Sequence, residues 1–77
     1  MEIITYTTVF NEKMTQIIIP TKYKNRNQII NKIEELDIKG FTNINNNNIY
    51  LNVINSETKK DNFTQFINWV CTINSNP

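Results

Sequence analysis

Hydrophobic periodicity changes twice along this chain, at matching places, and each change limits what the neighbouring segment can become. Residues 3–10 (IITYTTVF) and 14–20 (MTQIIIP) are rich in β-branched and aromatic side chains, which pack well on a pleated surface. Asn11, Glu12 and Lys13 break the two runs, so the spacing predicts a hairpin. Pro20 closes the second strand, because it has no N–H to give to a ladder. Over residues 26–37 the period lengthens: Ile29, Ile30, Ile33 and Leu36 form one helical stripe. Gly40, the only glycine, follows where a left-handed C-terminal residue is expected.

The pattern then repeats. FTNI (41–44), an asparagine run at 45–48 suited to a tight turn, and IYLNVI (49–54) predict a second hairpin. Phe63, Phe66, Ile67, Val70 and Ile73 predict a second one-sided helix over 63–74. An offset of 37 positions aligns the halves. Thr21, Lys22, Asn25, Gln28, Ile30 and Asn31 recur as Thr58, Lys59, Asn62, Gln65, Ile67 and Asn68, and Ile17 recurs as Ile54. Asn25 with Gln28, and Asn62 with Gln65, have the spacing of a capping box. Duplication and convergence on one capping solution both lead to the same reading: one domain of two ββα units, with halves at about 1–39 and 40–74. Neither helix can bury its stripe alone. The simplest closed solution is an α+β fold, ββαββα, with a four-stranded antiparallel sheet and two helices on one face.

Composition removes most catalytic classes. The chain has no histidine and one cysteine, Cys71, so triads, an internal disulfide and the usual zinc sites are excluded. A single glycine excludes a phosphate-binding loop or a dinucleotide fingerprint. The acids have no calcium-loop spacing; Glu34, Glu35 and Asp37 read as a solvated helix face, with Glu35 and Lys39 at ion-pair spacing. Cys71 reads as a small residue flanking the second stripe. We therefore expect no enzymatic activity, no cofactor and no metal.

A net charge of +1 on 77 residues gives no strong electrostatic signature, and no apolar run approaches the length of a membrane helix. The first ten residues alternate after an acid at position 2, unlike a secretory signal. A cytoplasmic protein with no membrane association is the expectation. A chain of this size balances burial against ordering entropy with little margin, so burial against a partner, including a second copy, is expected.

Three surfaces carry the functional expectations. Lys22, Tyr23, Lys24 and Arg26 lead into the first helix, and Lys59 and Lys60 into the second. Cations near helix N-termini oppose the macrodipole, and free N–H groups flanked by cations hold phosphates, so these junctions are candidate anion or nucleic-acid sites. Tyr23 could stack on a base. Trp69 lies on the flank of the second stripe, where it reads as a core-edge residue or a binding anchor. The sheet face away from the helices shows Tyr50, Asn52 and Ile54 on the last strand; the parity of residues 14–20 is open. Trp69, Tyr50 and Ile54 are the candidate partner-binding residues. The leading functional expectation is a non-catalytic protein-binding module, an inhibitor or adaptor of the kind a virus or mobile element directs at a host protein. The alternatives are a nucleic-acid-binding module using the basic junctions and a structural protein that self-associates as a dimer.

Overall fold

The structure, a computed structural model, describes residues 1–20, 26–45 and 48–75, the last three as backbone only. The order is β1 (Glu2–Thr7), β2 (Lys13–Pro20), α1 (Arg26–Glu35), β3 (Gly40–Ile44), β4 (Asn48–Ile54), a 3-10 turn (Asn55–Glu57) and α2 (Lys60–Ser75). This is the expected ββαββα arrangement. All four strands are antiparallel in one sheet of order β1-β2-β4-β3, so the two hairpins meet through their second strands.

The central pairing decides which side chains form the core. Thr15, Ile17 and Ile19 of β2 lie opposite Val53, Leu51 and Ile49 of β4, and all six are buried. Ile29 of α1, Ile38, and Phe66 and Val70 of α2 complete one cluster with the five apolar members of that set. Both helices therefore cover the same side of the sheet. Each buried Ile, Leu, Val or Phe contributes about 1.5–3 kcal/mol of transfer free energy. The parity of β2 is settled by this geometry: the odd-numbered residues face the helices.

Several boundaries depart from the sequence expectation for local reasons. β1 ends at Thr7, and Val9 and Phe10 are 92% and 88% exposed in the connecting turn. Their strand propensity yields to a loop organised by Thr8, whose hydroxyl oxygen accepts from the N–H groups of Phe10 (3.3 Å) and Glu12 (3.1 Å). Asn11 sits there at φ 62°, a left-handed conformation that asparagine tolerates.

Gly40 does not cap α1. Asp37 does, at φ 53°: the Ile38 N–H donates to the Ile33 carbonyl and the Asp37 N–H to the Glu34 carbonyl. These are the two bonds of a Schellman ending, and both Ile38 and Ile33 pack in the core cluster. Gly40 (φ 153°) is needed for another reason: a Cβ there would collide with the backbone carbonyl of Asn52 on β4.

α2 starts earlier than its spacing suggests. The Phe63 N–H donates to the Lys59 carbonyl at 3.0 Å, which makes Lys59 the capping position. Asn62 thus lies inside the first turn rather than at the cap; Asn25 falls outside the described residues. The 3-10 turn after β4 accommodates the extra helical residues, and Thr58 ties it back, its hydroxyl oxygen accepting from the Lys39 N–H at 3.1 Å.

The 37-residue offset holds for the helices with one amendment. Ile29 and Phe66 are the matched buried pair, whereas Ile30 and Ile67 are both half-buried; Val70 is buried and Ile33 only partly so. In the strands the offset fails. An odd number reverses sheet parity, so Ile17 faces the helices while its sequence counterpart Ile54 faces away.

Two substitutions test this packing. Gly40→Ala is expected to lower unfolding free energy by more than about 1 kcal/mol, since the alanine can adopt neither the φ nor the space. Ile17→Ala should cost about 2–5 kcal/mol as a buried truncation. Urea unfolding curves with unchanged slope would read both.

Candidate docking face

The strand registers write out the side of the sheet opposite the helices row by row. One row holds Glu2, Ile18, Tyr50 and Asn43; the next holds Ile4, Gln16, Asn52 and Phe41; a third holds Tyr6, Met14 and Ile54. Pro20 and Asn48 form a short fourth row. Among these residues only Glu2 is charged. Three are aromatic, one on each of β1, β3 and β4.

A polar node stabilises the centre. Asn52 is only 3% exposed, in a row otherwise occupied by apolar and amide side chains. Its Oδ1 accepts from the Tyr6 hydroxyl at 2.9 Å and from Gln16 Nε2 at 3.2 Å. A buried amide oxygen left bare would cost about 1–3 kcal/mol, so these two donors are what permit a polar residue there. The Tyr6 bond also spans from β1 to β4 across β2. Met14, between Tyr6 and Ile54 in its row, is buried outside the main core cluster.

Around the node the face stays open. Phe41 is 53% exposed and Ile4 43%, while Ile18, Tyr50 and Ile54 are half-buried. The Tyr50 hydroxyl accepts a long bond from Asn48 Nδ2 at 3.5 Å. Tyr50 and Ile54, expected from sequence to share a face, do so in the two rows that flank Asn52. Alternation puts Asn52 on this face with Tyr50 and Ile54, but its meeting with Tyr6, Gln16 and Phe41 depends on registers that spacing leaves undetermined.

Trp69 is elsewhere. It lies on α2, half-buried, its ring 6.2 Å from that of Phe66 and inclined at 34°. Lys32 of α1 places its Nζ 5.5 Å from the Trp69 ring centroid and pairs with Glu35 at 2.9 Å. Gln28, Asn31, Lys32, Glu35 and Trp69 together line a shallow groove between the helices. Glu35 therefore pairs within its helix rather than with Lys39. Lys39 instead binds Asp37 at 2.8 Å, and that hydrogen bond and charge, with a smaller contribution from Glu57, hold its ammonium pKa above the usual lysine value.

The basic junctions are only partly described. Lys22, Tyr23 and Lys24 lie outside the described residues. Arg26 is exposed at the first position of α1, Lys59 is exposed at the cap of α2, and Lys60 is exposed at its first position, with Asp61 beside it. Lys60 also borders a pocket of about 210 Å³ lined by Thr15, Val53, Asn55, Thr58 and Phe63. Cys71 is exposed and free. Among the described residues no group of acidic or cysteine side chains is arranged to hold a metal, and no helix is long and apolar enough to cross a membrane.

Asn52→Ala is expected to destabilise the fold by about 1–3 kcal/mol, because Gln16 and Tyr6 lose their shared acceptor. Tyr6→Phe should cost less, about 0.5–1.5 kcal/mol, since Gln16 still satisfies the amide oxygen. Equal losses in chemical denaturation would contradict the node.

No protein-family model matches this chain, and neither does any curated protein or solved structure.

Proposed function

We propose that the chain is a protein-binding module that docks through the open sheet face. The observation that carries this reading is the chemistry of that face. Tyr6, Phe41 and Tyr50 stand among isoleucines and neutral amides, with one acid at a corner and no cation. The cores of protein interfaces are depleted in charge and enriched in aromatic residues and methionine. A nucleic-acid surface needs cations to displace counterions from phosphates, and none of the face residues supplies one.

The dimensions suit a small interface. Four strands about 4.8 Å apart, with about six residues each at ~3.3 Å, span roughly 19 by 20 Å, or about 380 Å² in projection. That is below the ~800 Å² per partner of a standard-sized interface and falls in the class of small, transient contacts. The face is also supported from beneath: the Asn52 node holds Tyr6 and Gln16 in place, which limits the side-chain entropy lost on docking. Such a surface occupies a partner rather than transforming it, as an adaptor or inhibitor does.

Trp69 enters this reading as a structural residue. Its ring meets both Phe66 and Lys32, on the helix side of the sheet.

The test compares two double variants in affinity capture from a cell extract. Phe41→Ser with Tyr50→Ser should abolish capture of the proteins retained by the wild type. Lys59→Ala with Lys60→Ala should leave that capture intact, and it should survive raised salt. Retention of nucleic acid, lost in the lysine variant and at high salt, would overturn the proposal.

A further inference from the structure

Every residue of β1 is exposed, and β1 is one of the two edges of the sheet. An edge strand presents alternate N–H and C=O groups with no partner, and proteins usually blunt it with lysine, proline, a bulge or a covering segment. Among the described residues β1 has none of these. Its sequence, Glu2–Thr7, contains no lysine and no proline, and its register with β2 runs unbroken from Glu2 opposite Ile18 to Thr7 opposite Lys13. The helices cover β2 and β4 and stop short of this edge: Ile3, on the helix side, is 48% exposed. Apolar side chains are therefore left open on both sides of this edge strand, Ile3 on one and Ile4 with Tyr6 on the other.

We propose that β1 is the seam of a two-fold homodimer, in which the β1 strands of two copies pair antiparallel and join the sheets into one of eight strands. Backbone chemistry restricts the occupant of this edge to an extended strand. The residues of β1 suit a second β1. A two-fold axis normal to the sheet keeps both open faces on one side, so residues of like parity must pair. Centred on Ile4, this register sets Ile4 opposite its own copy, Ile3 opposite Thr5 of the second copy, and Glu2 opposite Tyr6 of the second copy. The first two are β-branched cross-strand pairs, which favour sheet formation, and in the third Tyr6 lies across from Glu2. Charge is compatible too. The two Glu2 side chains end up four residues apart along the strands, about 13 Å, beyond the ~8–10 Å over which salt screens exposed charges.

Pairing β1 with β3 of another copy would instead be heterologous, leaving an edge free at each end and building an open chain. The β1–β1 arrangement closes. It also makes the two open faces continuous across the axis, with Ile4 and Tyr6 of each copy at the junction. The proposal rests on the edge and not on the docking face, so either can fail without the other.

Sedimentation velocity and hydrogen exchange over a dilution series, from about 500 µM to about 5 µM, test the seam. The expected result is reversible dimerisation, with β1 amides gaining at least tenfold protection in the dimer while β3 amides gain none. Ile3→Lys, on the helix side and away from the docking face, should weaken the dimer at least tenfold and leave the circular dichroism of the monomer unchanged. Phe41→Ser with Tyr50→Ser should leave dimerisation intact. A wild-type chain that sediments as a monomer throughout would overturn the proposal. So would a dimer whose protection appears at β3 or on neither edge; this exchange readout needs no variant and stands even if Ile3→Lys fails to fold.

Discussion

The antiparallel pairing of β2 with β4 is the constraint on which the rest of the molecule depends. It sets Ile17 opposite Leu51 and Ile19 opposite Ile49, and so commits the odd-numbered residues of both strands to the helix side. A slip of β2 by one residue would bring Gln16 and Ile18 under the helices and turn Ile17 and Ile19 out of the core. Each hairpin brings its own edge strand, and each helix can only close over the side its connecting segment reaches. Once the central register is set, the two sides differ in kind: one is a closed apolar core, the other a mixed surface with a buried amide at its centre.

That amide explains why the uncovered side does not behave as a second core. An apolar residue in place of Asn52 would make the row Ile4, Gln16, Asn52, Phe41 more cohesive but would remove the acceptor that holds Tyr6 and Gln16. With the amide present, Tyr6 and Gln16 are held in place while part of their surface remains in water. A face that is ordered yet unburied is what a docking reading requires. The unprotected β1 edge is a separate feature of the same sheet, and it arises because two helices suffice to cover two strands but not four.

Element order and type were legible in the sequence because the hydrophobic period changes plainly from strand to helix and back. The parity of β4 was legible too, since Ile49, Leu51 and Val53 alternate with residues of mixed polarity. β2 was not: Ile17, Ile18 and Ile19 are chemically alike, and only the pairing with β4 separates Ile18 from its neighbours. The internal similarity misled in the strands for a related reason. Identity of Ile17 with Ile54 carries no information about which way a side chain points. Helix ends were mislocated because tertiary ties outweighed local signals. Asp37 caps α1 although a glycine stands three residues on, and that glycine is reserved for close approach to β4. Of the candidate site, Tyr50, Asn52 and Ile54 could be placed on a common face from alternation alone. The meeting of Asn52 with Tyr6 and Phe41 could not, because it requires three strand registers at once.

The separation of the two sheet sides is the claim from which the core, the docking face and the seam all descend. Through-space NMR contacts between side-chain protons test it directly. The account predicts that the methyl groups of Ile17, Ile19 and Leu51 share one contact network with the Phe66 ring and Val70, while Ile18 and Ile54 show contacts to sheet residues and to no helix. Contacts from Ile18 or Tyr50 to the Phe66 ring would place the opposite parity beneath the helices and contradict it.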